Sequence, residues 1–154
     1  MLRQRIATAI ATAGGAGYSP IAPGTCGTLL TIPLAWWCRD LGTLPYLALV
    51  AAVFIVGVWA AGVANETWGT HDSGRIVVDE VAGYLMTVAF VDRSNAWALA
   101  AGFVVFRYLD IAKPIGIRWL DKNVKGGFGV MFDDLVAGVA GAIALALLVW
   151  VGVL

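Results

Sequence analysis

The sequence predicts an all-α integral membrane protein: one small domain over residues 1–154, built from about five hydrophobic helices. Three observations carry that reading. Hydrophobic residues make up 60% of the chain and charged residues 13%, against about 25% charged in an ordinary soluble domain. Two apolar runs, residues 44–64 and 135–154, hold 21 and 20 residues. At about 1.5 Å per residue each matches a hydrocarbon core about 30 Å thick. The polar residues gather in short segments between the apolar ones.

Taken in order, residues 1–13 carry Arg3 and Arg5 and then mostly Ala and Thr, an amphipathic segment suited to the interface. Its Ala11-Thr12-Ala13 end imitates a signal cleavage site, but the apolar part before it is short and weak for that role. Residues 14–28, GGAGYSPIAPGTCGT, read as a loop. Residues 29–38 are apolar, 39–42 form a polar turn, and 44–64 are an unbroken apolar run. Residues 65–75 are polar. Residues 76–91 are apolar except for Asp79 and Glu80, and 92–95 form a second polar turn. Residues 96–111 are apolar except for Arg107 and Asp110; 112–129 are basic and glycine-rich; and Asp134 opens the last run. Only 44–64 and 135–154 meet the span length outright. The other three helices are short or charged and fit tilted, re-entrant or half-buried placements.

Ten basic and ten acidic residues give zero net charge with no basic stripe, which excludes nucleic acid as a partner. The apolar content excludes disorder. Cys26 and Cys38 support neither a disulfide framework nor a paired metal-ligand spacing, and His71, the only histidine, cannot build a multi-histidine zinc site. Arg107, Lys113, Arg118, Lys122 and Lys125 crowd one segment, and Arg3 and Arg5 lie near the start. The positive-inside rule places both in the cytoplasm, and five crossings then put 65–75 inside and the C-terminus outside.

Five carboxylates, Asp79, Glu80, Asp110, Asp133 and Asp134, lie at the ends of apolar helices on that same side. A charge within a membrane helix costs roughly 2.5–3.5 kcal/mol on insertion scales, so a cluster there needs a reason. Carboxylates without His or Cys suit a hard cation, Mg2+ rather than zinc. For one of Asp133 and Asp134, helix N-capping is the competing reading. Arg107, Asp110 and Lys113 share one helix stripe at a spacing of three. They form either an intrahelical salt bridge with snorkelling side chains or a phosphate-binding pair beside a metal held by Asp110. The glycine-rich stretches 14–27 and 126–129 each approach a helix start, where N–H groups favour anions. Neither completes a Walker or dinucleotide fingerprint, and loop flexibility explains them equally well. Ala137, Gly138, Gly141 and Ala142 make a close-packing helix face, and the seven Trp read as core residues or interfacial anchors.

Metal, phosphate-binding cations and membrane together point to phosphoryl chemistry on a lipid. A cysteine nucleophile needs an Arg six residues on, where Ile32 and Leu44 stand. No Asp-x-Asp occurs for an aspartyl-phosphate, one His is too few for a histidine-nucleophile lipid phosphatase, and the spaced Asp pattern of CDP-alcohol transferases is absent. Attack by water assisted by metal remains.

The stretches SPIAPGTCGT (19–28), HDSGRIVVDEVAG (71–83) and FRYLDIAKPIGIRWLDKNVKGGFGVMFDDLVAG (106–138) resemble bacterial phosphatidylglycerophosphatase A, nearly end to end. The resemblance implies an Mg2+-dependent, multi-pass phosphatase of the bacterial inner membrane. It would convert phosphatidylglycerophosphate to phosphatidylglycerol at an interfacial site facing the cytoplasm. It further implies that Asp79, Glu80, Asp110, Asp133 and Asp134 hold one Mg2+ or two. Asp79, Glu80, Asp110, Asp134, Arg107 and Lys113 would be catalytic. Arg107, Lys113, Thr25, Gly27, Thr28 and His71 would meet the phospholipid, and His71-Asp72 could also serve in acid–base work. The departures, such as Tyr108 and Ile115-Gly116, are conservative. A metal-dependent lipid phosphotransferase and a non-enzymatic ion-binding membrane protein are the alternatives.

Overall fold

A computed structural model describes residues 1–114, 116, 117, 119 and 123–154. Among the described residues every regular element is helical. They are α1 (Leu2–Ala11), a 3-10 helix (Ala13–Tyr18), α2 (Pro23–Trp37), α3 (Thr43–Trp68), α4 (Val78–Thr87), α5 (Ala96–Ala112) and α6 (Gly126–Trp150). The expected hydrophobic helices are α2 to α6. By length and composition two of them, α3 with 26 residues and α6 with 25, can cross a membrane. They contain the two runs of full span length. Of the basic segment, Arg118 and Lys122 lie outside the described residues.

Three boundaries differ from the sequence expectation, each for a physical reason. First, α2 begins at Pro23, not near residue 29. Proline at the first helical position gives up no hydrogen bond and has the helical φ already set. Second, α4 has ten residues where 76–91 are apolar. It is about 15 Å long, too short to cross. Its residues are apolar because it is the centre of the bundle: Val78, Ala82, Gly83, Tyr84, Leu85 and Thr87 are buried, and α2, α3, α5 and α6 all pack on it. Third, α6 begins at Gly126. Gly127 lies against the α3 backbone at Val58 and Gly62, an approach that only a residue without a side chain permits. Residues 126–129 are therefore the first turn of a helix. Asp133 and Asp134 stand two turns inside it, and the N-cap position belongs to Lys125, which excludes capping by either aspartate.

The small-residue face of α6 does pack closely. A Cβ on Gly138 would run into the Gly83 carbonyl, and Gly141 faces Thr87. The Thr87 hydroxyl donates to the Gly83 carbonyl at 3.0 Å and the Gly138 carbonyl at 3.4 Å. At one end of the bundle the buried Arg93 donates to the carbonyls of Ala89 (2.9 Å) and Leu41 (2.6 Å) and stacks 3.9 Å over the Tyr46 ring. That ties the α2–α3 turn to the α4–α5 turn. At the other end the starts of α2, α4 and α6 and the end of α5 come together, joined by the 72–76 segment.

Candidate metal centre

The first turn of α4 carries Asp79 and Glu80, where the helix dipole favours negative charge. The Glu80 amide donates to Asp79 Oδ1 at 3.0 Å. Because Gly83 lets α6 approach until its Asp134 carbonyl touches α4, the Asp134 side chain arrives at the same place. One carboxylate oxygen each from Asp79, Glu80 and Asp134 lie within 4.8 Å of one another.

The C-terminal part of α5 and its C-cap supply the cations. Arg107 Nη1 is 2.5 Å from Asp110 Oδ2 and 3.7 Å from Glu80 Oε1. Lys113, the left-handed C-cap of α5 at φ 39°, places its Nζ 2.6 Å from Asp133 Oδ2. Ala22, Pro23, Gly24, Asp72, Ser73 and Gly74 complete the wall of a cavity of about 310 Å3.

Burial pushes the Asp79 carboxyl well above the usual carboxylate range, and the charges of Glu80 and Asp134 push it the same way. Glu80 is raised too, chiefly by burial, with the Asp110 charge adding and Arg107 opposing. Glu80 Oε2 is buried with no hydrogen-bond partner among the described residues. Three converging carboxylates with an orphaned oxygen are a poor arrangement alone and a good one around a cation. The all-oxygen donor set fits a hard divalent ion. Two of the five expected ligands are arranged differently: Asp110 and Asp133 face Arg107 and Lys113.

Of the residues expected to meet the phospholipid, Thr25, Gly27 and Thr28 stand within the first two turns of α2. Gly27 and Thr28 are buried in the bundle, and Thr25 is half-buried. Gly27 packs against Val77, the buried Thr28 hydroxyl donates to the Gly24 carbonyl at 2.9 Å, and none of the three is among the described residues lining the cavity. Gly24, their neighbour, does line it. His71 is exposed and lines a separate hollow of about 100 Å3 with Lys125, Gly126 and Gly129; this hollow shares Asp72 and Val130 with the main cavity. Asn65 fixes that segment. Its Nδ2 donates to the His71 carbonyl at 2.9 Å, and its Oδ1 accepts from the Thr70 hydroxyl at 3.2 Å and the Ser73 amide at 3.3 Å. Asn65 and Gly24 escaped the sequence reading; the available signals were a lone amide ending an apolar run and a Pro-Gly pair opening one.

The family model described as Phosphatidylglycerophosphatase A matches residues 9–149. A phosphatidylglycerophosphatase A of Escherichia coli (strain K12) is 42% identical over 133 residues, 86% of this chain and 77% of its own length. One from Haemophilus influenzae is 36% identical over 138 residues, 88% and 84% of the two chains. A Bacteroides thetaiotaomicron protein, provisionally named a phosphatidylinositol-3-phosphatase, is 40% identical over 151 residues, 92% of each chain. No solved structure gives a significant match.

Proposed function

The chain belongs to the phosphatidylglycerophosphatase A family, and on that premise we propose that it hydrolyses phosphatidylglycerophosphate to phosphatidylglycerol and phosphate with Mg2+ as cofactor. Family membership and the acidic cluster together make it a phosphatase. The observation that carries the mechanism is the convergence of Asp79, Glu80 and Asp134 beside two held cations.

Asp79, Glu80 and Asp134 would hold the metal. When bound, it supplies the Lewis acidity that polarises phosphoryl oxygens and makes water an effective nucleophile at neutral pH. Arg107, steadied by Asp110 and Glu80, turns its guanidinium to the phosphoryl group. Lys113, steadied by Asp133, adds a second positive charge. Together they neutralise charge that grows in an in-line transition state. Asp110 and Asp133 act by positioning those cations. His71, in the adjoining hollow, offers the head group a further polar contact. No covalent intermediate is required.

The whole chain acts as one domain in the bacterial inner membrane, with the acyl chains left in the bilayer. The cations near the cavity support a site that faces the cytoplasm. The provisional name of the Bacteroides relative supports a second substrate reading, a 3-phosphorylated inositol lipid.

Phosphate release from detergent-dispersed phosphatidylglycerophosphate, measured with Mg2+ and after stripping by EDTA, tests the proposal. Release in Mg2+ alone is expected, faster than from phosphatidylinositol 3-phosphate. Faster release from the inositol lipid overturns the substrate. Transfer of the lipid phosphate to an added alcohol makes the protein a phosphotransferase. Cation binding without release makes it an ion-binding protein.

A further inference from the structure

We infer that Gly24 is a positioning residue for Glu80: its missing side chain is the space in which the Glu80 carboxylate stands. This rests on the metal reading above and adds a residue that the reading does not contain.

Gly24 is the second residue of α2. A Cβ built on it would land on Glu80 Oε1, 3.0 Å from Glu80 Cδ and 3.2 Å from Arg107 Nη1. Its φ lies outside the left-handed region, so its backbone does not require glycine. What a substitution costs there is set by what the new atom meets.

Neither helix can retreat to make room. One turn along α2, Gly27 is already tight against Val77, and Thr28 is fully buried. The entry to α2 is fixed by Pro23 and by Ala22, a non-glycine residue held at φ 46° and ψ 61°. Such a residue persists only where its surroundings enforce it. On the other side, α4 is pressed on α6 through Gly83 and the Asp134 carbonyl. The part able to yield is the Glu80 side chain. Moving it takes one oxygen out of the trio with Asp79 and Asp134 and removes a neighbour of Arg107.

The opposing view is that Gly24 only eases the start of a helix. In that case alanine is harmless or stabilising, because it restricts the unfolded chain, and it leaves the metal untouched.

The experiment uses the full chain in detergent, with Gly24→Ala, Glu80→Asp and the double variant. Mn2+ binding is read by electron paramagnetic resonance, and Mg2+-dependent stabilisation by thermal unfolding. Gly24→Ala is expected to weaken Mn2+ binding by about tenfold or more, the scale of lost support around a metal ligand, with the metal-free melting temperature kept. In the Glu80→Asp background, where the carboxylate is withdrawn by one methylene, the same change should have little further effect. Undiminished Mn2+ binding by Gly24→Ala, or an equal loss in both backgrounds, overturns the inference. So does a Gly24→Ala chain that unfolds whether residue 80 is Glu or Asp, since shortening the side chain held responsible has then relieved nothing. If the wild type binds no Mn2+ and gains no stability from Mg2+, the metal reading falls and this inference with it.

Discussion

Lys113 Nζ stands 2.6 Å from Asp133 Oδ2, while the next residue, Asp134, faces the carboxylates of Asp79 and Glu80. Consecutive residues on a helix point about 100° apart, so one Asp-Asp pair serves two purposes. One carboxylate is matched to a cation within the protein. The other joins the cluster with Asp79 and Glu80, which the Arg107 guanidinium borders. Both lie inside α6, where an N-cap role is excluded.

The two aspartates should therefore respond differently to the same substitution. Asp134→Asn keeps shape and removes charge. It should lower turnover by about a hundredfold or more and raise the Mg2+ needed for half-maximal rate, with excess Mg2+ restoring part of the loss. Glu80→Gln should behave alike. Asp133→Asn should lower turnover by loosening Lys113 while leaving the Mg2+ requirement near wild type. Mg2+ titrations of phosphate release check this; a matching shift in Mg2+ requirement for Asp133→Asn would assign that carboxylate to the metal.

Asp110 should act through Arg107, given the 2.5 Å contact between them. Asp110→Asn and Arg107→Met should each reduce kcat/KM strongly. In the Arg107→Met background, however, Asp110→Asn should cost little more, because coupled residues are not additive. Arg107→Lys should not restore activity, since a lysine has no planar fork to span Asp110 and a phosphoryl group. A full, independent loss from Asp110→Asn in the Arg107→Met background would make Asp110 a direct participant.

Much of this was readable from the residues. Runs of 21 and 20 apolar residues sufficed to mark α3 and α6. Carboxylates at the ends of apolar helices need partners, so the five of them pointed to the candidate cluster. What could not be read depends on packing. Residues 126–129 have the composition of a loop, yet they open α6, with Gly127 set bare against the α3 backbone. The apolar stretch 76–91 looks like a lipid-facing helix, but its middle is buried in protein, and a composition cannot tell the two solvents apart. Dividing five carboxylates into three that converge and two that bind cations requires the rotation of α6 about its axis. No spacing along the chain states that.

Glycine substitutions should separate close packing from helix propensity. At Gly138 a Cβ would stand 2.4 Å from the Gly83 carbonyl oxygen, which cannot move aside; at Gly141 it meets the Thr87 side chain less closely, at 2.8 Å from Oγ1 and 2.9 Å from Cγ2. Gly62 has nothing within 4 Å of its added Cβ. Gly138→Ala should cost about 1–3 kcal/mol, the scale of overpacking, and Gly141→Ala less. Gly62→Ala should be neutral or stabilising by up to about 1 kcal/mol, the helix preference of alanine over glycine. Unfolding in detergent ranks the three, and a Gly138→Ala chain as stable as Gly62→Ala would deny that the α4–α6 contact is tight.

Orientation follows from the Arg93 anchor. Because Arg93 donates to the Leu41 carbonyl, the α4–α5 turn stands level with the start of α3, at the end of the bundle remote from the acidic cavity. Alone, α4 is too short to carry the chain across, so whether residues 92–95 reach the far surface depends on that level being the membrane boundary. The cations at the cavity end, Arg107, Lys113 and Lys125 among them, favour the cytoplasm. Ser94 and Lys125 are exposed at the two ends. In a chain whose Cys26 and Cys38 are replaced, a cysteine at position 94 should react with an impermeant maleimide from outside an intact spheroplast. A cysteine at position 125 should react only after the membrane is opened. The reverse pattern would invert the protein and put the cavity outside. If neither position reacts until the membrane is opened, the α4–α5 turn has no external exposure and α4 with α5 forms a re-entrant pair. The Arg93–Leu41 tie would then hold the start of α3 below the outer surface as well.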